Sequence, residues 1–291
     1  LEIFYKDRQK MKMVRSIQEM KQAAASHRAG GASIGLVPTM GYFHEGHLSL
    51  MRSARSENDM VVVSLFVNPI QFRPGEDLDR YPRDLNRDAE LALGVGVDIL
   101  FVPETADIYP KGFCAKISVE GLSDRLCGES RPGHFQGVAT VVAKLFHIVQ
   151  PRRAYFGLKD FQQTAVIRRM VEDLNFDIEI ITLPTVRESD GLAMSSRNSY
   201  LSAEERVAAR SLKESLDLAV QRIKEGERSA DRIRTIIRER IAREKLARMD
   251  YVSVSSPESL QEVSVIEGEV LVALAVFVGR TRLIDNVLVH P

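Results

Sequence analysis

Short apolar runs alternating with stretches of helical period constrain this chain more than any other feature. The runs are residues 34–37, 60–67, 97–102, 153–156 and 177–183. Between them, Phe135, Val138, Val141, Val142, Leu145, Phe146 and Val149 keep helical spacing, as do Val166, Ile167, Met170, Val171 and Leu174. Further helices are predicted over about 14–28, from Gly46 to about 57, and over 84–93. Continuous apolar strands alternating with amphipathic helices predict a parallel sheet covered on both faces. Residues 103–134 read as irregular, with a short strand near 115–119. After Pro184 the texture changes. Two charged amphipathic helices are predicted at 202–225 and 230–243, then strands at 251–255, 270–278 and 282–288. This predicts an α/β chain with a second, smaller α+β domain beginning near residues 184–190.

The end of the first apolar run carries the densest chemistry. Residues 34–50 read Ile-Gly-Leu-Val-Pro-Thr-Met-Gly-Tyr-Phe-His-Glu-Gly-His-Leu-Ser-Leu, that is, strand, short loop and helix start. Pro38 is expected to end the strand, because it has no N–H to continue a ladder. His44 and His47 are close enough to serve one helical face. A helix N-terminus offers unpaired N–H groups and the positive end of a dipole, so it attracts phosphate. Two imidazoles there can hold phosphate oxygens during nucleotide transfer. The pair also reads as a capping histidine beside a surface one, or as part of a zinc site whose further ligand no nearby His or Cys supplies. Thr-Met-Gly-x-x-His-x-Gly-His after a buried strand resembles the HxGH signature of the nucleotidyl-transferring α/β superfamily, which includes class I aminoacyl-tRNA synthetases.

Other motifs extend this reading. Asn68-Pro-Ile-Gln71 follows the second strand, where ligands of open α/β sheets bind. Gln71 suits a substrate bearing hydroxyls and a carboxylate, although a solvated loop glutamine also fits. Arg80-Tyr-Pro-Arg-Asp84 leads into a helix with Asp84 and Asp88 on one face. Asp88 is a candidate Mg²⁺ ligand, directly or through water; a solvated helix face is the commoner explanation for such a pair. Arg131-Pro-Gly-His-Phe-Gln-Gly137 permits close backbone approach and an anion contact at Arg131, or is an ordinary helix entry.

In Phe156-Gly-Leu-Lys-Asp-Phe-Gln-Gln163, Lys159 can neutralise phosphate oxygens, Asp160 can accept ribose hydroxyls and Gln163 can face a second substrate. A capping aspartate with solvent-facing neighbours is the alternative. Met194-Ser-Ser-Arg-Asn198 resembles the KMSKS loop of the same superfamily, with Arg197 in place of the expected lysine; otherwise it is a serine-rich linker.

Composition bounds the partners. The chain has 291 residues, with 40 Lys+Arg against 40 Asp+Glu. Zero net charge argues against a generally basic nucleic-acid binder, but not against a local phosphate site. The longest apolar run, 270–278, is too short to span a bilayer, and residues 1–10 lack the apolar core of a signal peptide. Cys114 and Cys127 match neither CxxC nor a zinc pattern and read as two buried free thiols of a cytosolic protein.

Taken together, PTMGYFHEGH, VNPIQF, RYPRD, RPGHFQGV, YFGLKDFQQ and VRESDGLAMSSRNSYLS, in this order, closely resemble the pantothenate synthetase (pantoate–β-alanine ligase) family over residues 14–288. The resemblance implies an N-terminal extension at 1–12, a Rossmann-like domain at 13–186 and a smaller C-terminal lid at 187–291. It implies a cytoplasmic homodimer that adenylates pantoate with Mg²⁺ and ATP, releases pyrophosphate, and lets β-alanine displace AMP. Met40, Gly41, Tyr42, Phe43, His44, Glu45, Gly46 and His47 would bind ATP, with His47 as proton donor. Gly157, Leu158, Lys159, Asp160, Val186, Met194, Ser195, Ser196 and Arg197 match further ATP contacts, and Gln71 and Gln163 match pantoate contacts. Leu158 stands where the family often carries a polar residue, so its backbone is the part expected to matter.

His44, His47, Lys159, Ser195, Ser196 and Arg197 are the expected catalytic set; neither nucleic acid nor membrane is an expected partner. A rival enzyme, joining a nucleotide to a phosphorylated acceptor, would want a second cationic site. A nucleotide-binding regulator without activity would not need both histidines and Lys159.

Overall fold

The structure, a computed structural model, describes residues 11–291; of the expected N-terminal extension only Met11 and Lys12 fall within them. The elements run β1 (Lys12–Val14), α1 (Ile17–Ala29), β2 (Ile34–Thr39), α2 (Glu45–Glu57), β3 (Met60–Leu65), α3 (Leu85–Gly94), β4 (Ile99–Phe101) and α4 (Thr105–Ile108). They continue through α5 (Cys127–Ser130), α6 (His134–Val149), β5 (Arg153–Gly157), α7 (Phe161–Asp173) and β6 (Glu179–Leu183). The rest is α8 (Ala203–Ala209), α9 (Ser211–Lys224), α10 (Ala230–Ala242), β7 (Ala247–Ser255), β8 (Val270–Val278) and β9 (Thr281–Val289). The chain divides into two compact units: the first takes residues up to 117 with 137–156 and 171–183, the second 118–136, 157–170 and 184–291.

The first unit is built on a six-stranded sheet in the order β1-β4-β3-β2-β5-β6. The pairs β1–β4, β4–β3, β3–β2 and β2–β5 are parallel. From β2 the chain steps outward through β3 to β4, then returns to the other side of β2 for β5 and β6. The order therefore reverses between β2 and β5, a Rossmann-like switch point whose carboxyl ends are the usual ligand-binding edge of such sheets. Val37, Val61, Val63, Leu100 and Tyr155 of the sheet join Phe43, Leu50, Met51 and Ala54 in one core. Leu36, Val62, Ile99, Phe101 and Ala154 are buried too. Both faces are covered, which explains why these strands read as unbroken apolar runs.

Pro38 does not end β2; it sits inside the strand opposite Ser64. Ser33 and Thr39 carbonyls accept from Met60 and Phe66 N–H, whereas the Ile34 carbonyl accepts from Arg152 N–H. Odd positions therefore face β3 and even ones face β5. The N–H that proline lacks would point to the β5 side, where pairing with β2 goes only as far as Leu36↔Ala154. Nothing is lost from the β3 ladder.

Other departures have local causes. The helix expected from residue 14 starts at Ile17, because Ser16 caps it by accepting from Glu19 N–H at 3.1 Å, and residues 12–14 form an edge strand instead. The strand expected at 115–119 is absent; Ile117 N–H bonds the Thr140 hydroxyl at 3.0 Å in place of a ladder partner. Short helices α4 and α5 punctuate the stretch read as irregular. The helix expected at 202–225 is two, α8 and α9. The Ser211 hydroxyl bonds Ala208 O at 2.6 Å and Arg210 N–H reaches back only to Val207 O, a tightened turn at the joint. Both cysteines are free, but only Cys127 is buried; Cys114 is exposed.

The second unit carries the antiparallel sheet β7-β8-β9. Leu212, Leu216, Ala219 and Ile223 of α9 and Ile233, Ile237 and Ile241 of α10 pack with Val252, Val254, Val272, Leu274 and Val276. Burying each such isoleucine or leucine contributes roughly 1.5–3 kcal/mol, so a helical pair with this stripe stays docked. The opposite face of β8 is apolar as well: Leu271 and Ala273 meet Leu260, Leu122, Leu126 and Phe161. That contact draws residues 118–136 and the start of α7 into this unit. No helix among the described residues is long and apolar enough to cross a membrane.

One buried polar contact in the first unit gives a stability prediction. Tyr155 Oη donates to Glu57 Oε2 at 2.9 Å and accepts from Asn58 Nδ2 at 2.7 Å, and burial pushes its phenol up to about 12. Tyr155→Phe should cost roughly 1–2 kcal/mol by leaving Asn58 short of an acceptor. A urea midpoint unchanged from wild type would refute this.

Candidate active site

In the first unit, β2 runs into a loop whose backbone is held from outside. Gly41 takes φ +84° and Tyr42 φ +54°, left-handed values at two successive residues. A Cβ on Gly41 would lie 3.0 Å from Asp88 Oδ2. The turn points the N–H groups of Tyr42 and Phe43 at Asp88, with both distances 2.6 Å. Asp88 is 1% exposed, and burial raises its carboxyl while the two N–H bonds oppose the shift. Arg87 stacks over the Tyr42 ring at 5.2 Å.

The histidines cap α2 reciprocally. His44 Nδ1 accepts from Gly46 N–H and His47 Nδ1 accepts from His44 N–H, both at 3.2 Å. The rings lie 4.1 Å apart, and His47 rests against buried Phe43 at 5.6 Å. A backbone N–H can only donate, so each Nδ1 is an acceptor and each neutral imidazole carries its proton on Nε2. Two Nε2–H donors at a helix N-terminus suit phosphate oxygens. Glu45 is exposed and paired with Arg52. Gln71 is buried in the short 3-10 turn Pro69–Gln71; its Oε1 accepts from Asn68 Nδ2 at 2.9 Å and its Nε2 meets Met40 Sδ at 3.2 Å.

In the second unit, Gly157 opens a 3-10 turn, Leu158–Asp160. Asn286 Nδ2 of β9 donates to the Leu158 and Lys159 carbonyls at 3.0 and 2.8 Å, which fixes this turn. Lys159 Nζ is 3.8 Å from Asp160 Oδ2, a loose pairing. Gln163 is half-buried, whereas its neighbour Gln162 is a structural pin bonded to Cys127 N, Leu122 O and Arg125 O. Val186 and Met194 are joined by a backbone bond of 2.9 Å across a hairpin with Gly191 near its tip. Ser195 caps the 3-10 turn Ser196–Tyr200 by accepting from Arg197 N at 3.3 Å, and Ser196 is buried. Asn198 Nδ2 bonds Glu188 Oε1, and Arg206 ties Glu188 to Asp190, holding the Asp190 carboxyl below its usual range. In the same unit Arg187 forms a bidentate pair with buried Asp285.

Asp84 caps α3, accepting from Arg87 N–H, and both oxygens of Asp88 hold the loop. Each oxygen of Asp88 thus accepts one backbone N–H, and no group of three or more His, Cys, Asp or Glu among the described residues is arranged to hold a metal ion. Sequence reasoning missed Asn286 and Arg206, neither of which lies in a recognisable motif. An asparagine within an apolar strand was the one signal available for Asn286.

The sheet with its switch point and the doubly capped histidine turn define an HxGH-type nucleotide-binding α/β protein. The family profile described as pantoate-beta-alanine ligase matches residues 12–288. The pantothenate synthetase of Moorella thermoacetica is 57% identical over 280 residues, covering 96% of this chain and 99% of that one. A crystal structure of pantothenate synthetase from Thermus thermophilus superposes with a TM-score of 0.92 at 47% identity, covering 97% of this chain and 100% of that one. The pantoate-beta-alanine ligase of Francisella tularensis, complexed with beta-gamma ATP and beta-alanine, gives 0.78 at 35% identity, over 96% of this chain and 97% of that one. The chain belongs to the pantoate–β-alanine ligase family, whose members are ATP-dependent ligases.

Proposed function

We propose that this protein condenses pantoate with β-alanine at the expense of ATP, through a bound pantoyl adenylate. Family membership supports the substrates. The observation that carries the chemistry is the reciprocal cap that fixes two Nε2–H donors at the start of α2. In the first step a pantoate carboxylate oxygen attacks the α-phosphorus of MgATP and the bond to pyrophosphate breaks. Such a displacement needs alignment and charge neutralisation more than a protein nucleophile. His44 and His47 donate to phosphate oxygens as charge moves to the leaving group, with His47 as proton donor. Lys159 supplies a compact cation, and the backbones of Met40–Gly46, Gly157, Leu158, Val186 and Met194 frame the nucleotide. Asp160 takes the ribose hydroxyls, and Ser195, Ser196 and Arg197 close on the phosphates.

In the second step the free amine of β-alanine attacks the acyl carbon, the C–O bond to AMP breaks, and the amine proton is released. Gln71 and Gln163 hold pantoate. The mixed anhydride is labile, so water must be excluded while it waits; residues 187–291 serve as the lid in this reading. The active form is read as a cytoplasmic homodimer.

Exchange of labelled pyrophosphate into ATP tests the order of steps. It should require MgATP and pantoate and proceed without β-alanine. Exchange that demanded β-alanine, or ran without pantoate, would rule out the adenylate.

A further inference from the structure

A carbonyl inside α6 dictates which way the Gln71 amide faces. Gly137 approaches the 3-10 turn so closely that a Cβ there would lie 2.6 Å from Ile70 O and 2.7 Å from Gln71 Cα. Its carbonyl oxygen receives Asn68 Nδ2 at 3.1 Å. A backbone carbonyl only accepts, so the Asn68 atom facing it is nitrogen. The same Nδ2 donates to Gln71 Oε1, which turns the oxygen of that amide inward. Asn68 Oδ1 is left as an acceptor, and Tyr109 Oη donates to it at 2.7 Å. Asn68 is 1% exposed, so bulk water does not supply that donor. The Tyr109 ring is held by Phe113 and Phe66, with centroids at 5.0 and 6.2 Å. Burial raises the phenol's pKa, which keeps it a donor. Flipping the Gln71 amide would set one NH₂ against another.

We propose that Tyr109 is a positioning residue for substrate selection: through Asn68 it locks Gln71 with its oxygen on Asn68 and its NH₂ on the Met40 side, so the Gln71 subsite recognises its ligand by an acceptor oxygen, a carboxylate or hydroxyl. This rests on the reading that Gln71 holds pantoate. Met40 Sδ, the neighbour of Gln71 Nε2, is a weak acceptor that a carboxylate or hydroxyl oxygen outcompetes.

The test compares wild type, Tyr109→Phe, Gln71→Ala and the double variant by KM for pantoate, ATP and β-alanine. Phenylalanine keeps the ring contacts and removes only the donor. Tyr109→Phe should raise KM for pantoate about three- to tenfold, the effect of losing one hydrogen bond in a buried chain, with KM for ATP unchanged. In the Gln71→Ala background the same substitution should add nothing, because the group it positions is gone. If Gln71→Ala leaves pantoate KM at the wild-type value, the assignment of Gln71 falls and this inference with it. If Gln71→Ala raises it while Tyr109→Phe does not, or if Tyr109→Phe costs as much in the double variant or weakens ATP equally, the positioning role is overturned and the Gln71 assignment stands.

Discussion

Lys159→Ala is expected to lower kcat by roughly 30- to 1,000-fold, the 2–4 kcal/mol typical of removing a preorganised donor that acts in the transition state. The fold should survive, for the structure asks little of this side chain. Its ammonium is 3.8 Å from Asp160, and the turn that carries it is fixed through backbone carbonyls by Asn286. The loss should therefore appear in turnover with the thermal midpoint kept near wild type. Lys159→Arg should recover only part of the activity, since a planar guanidinium is a poor copy of a compact charge. Near-normal turnover in folded Lys159→Ala would remove this lysine from the chemistry.

Asp88→Ala should be strongly damaging although the side chain is held by backbone N–H groups and not by substrate. It strands two N–H groups, the part-buried one of Tyr42 and the buried one of Phe43, at the point where the chain enters the histidine cap. Each unsatisfied donor costs about 1–3 kcal/mol, so a loss of roughly 2–5 kcal/mol of stability is expected together with weaker ATP binding. Asp88→Asn should rescue little, because its amide nitrogen would face one of the two N–H groups. The Mg²⁺ concentration for half-maximal activity should stay the same in any folded Asp88 variant. A marked rise would show that the carboxylate serves the metal rather than the loop.

These two residues also show what could be read in advance. Lys159 stood out because it follows a short apolar run and a glycine, a pattern of near neighbours. Asp88 stood out for its spacing from Asp84, which did not reveal that Asp84 caps its own helix while Asp88 reaches back to residues 42 and 43. Sequence spacing places a carboxylate on a helix face but does not say what that face meets.

The sequence by itself determined strands β2 to β6 of the large sheet, the longer helices between them, the three strands near the C-terminus and the histidine turn at the start of α2. Each is written in the period of adjacent side chains or in a cap closed over three residues, so neighbours suffice to specify it. Tertiary structure alone decided that Pro38 stays inside β2, since the side of the ladder it spoils is the one β5 has already left. It alone put β1 on the sheet edge, because a three-residue strand has no period of its own and exists only by pairing with β4. It alone brought Tyr109 and Gly137, both distant in sequence, to Asn68 and Gln71, whose donors and acceptors acquire a direction only when burial removes water as an alternative partner.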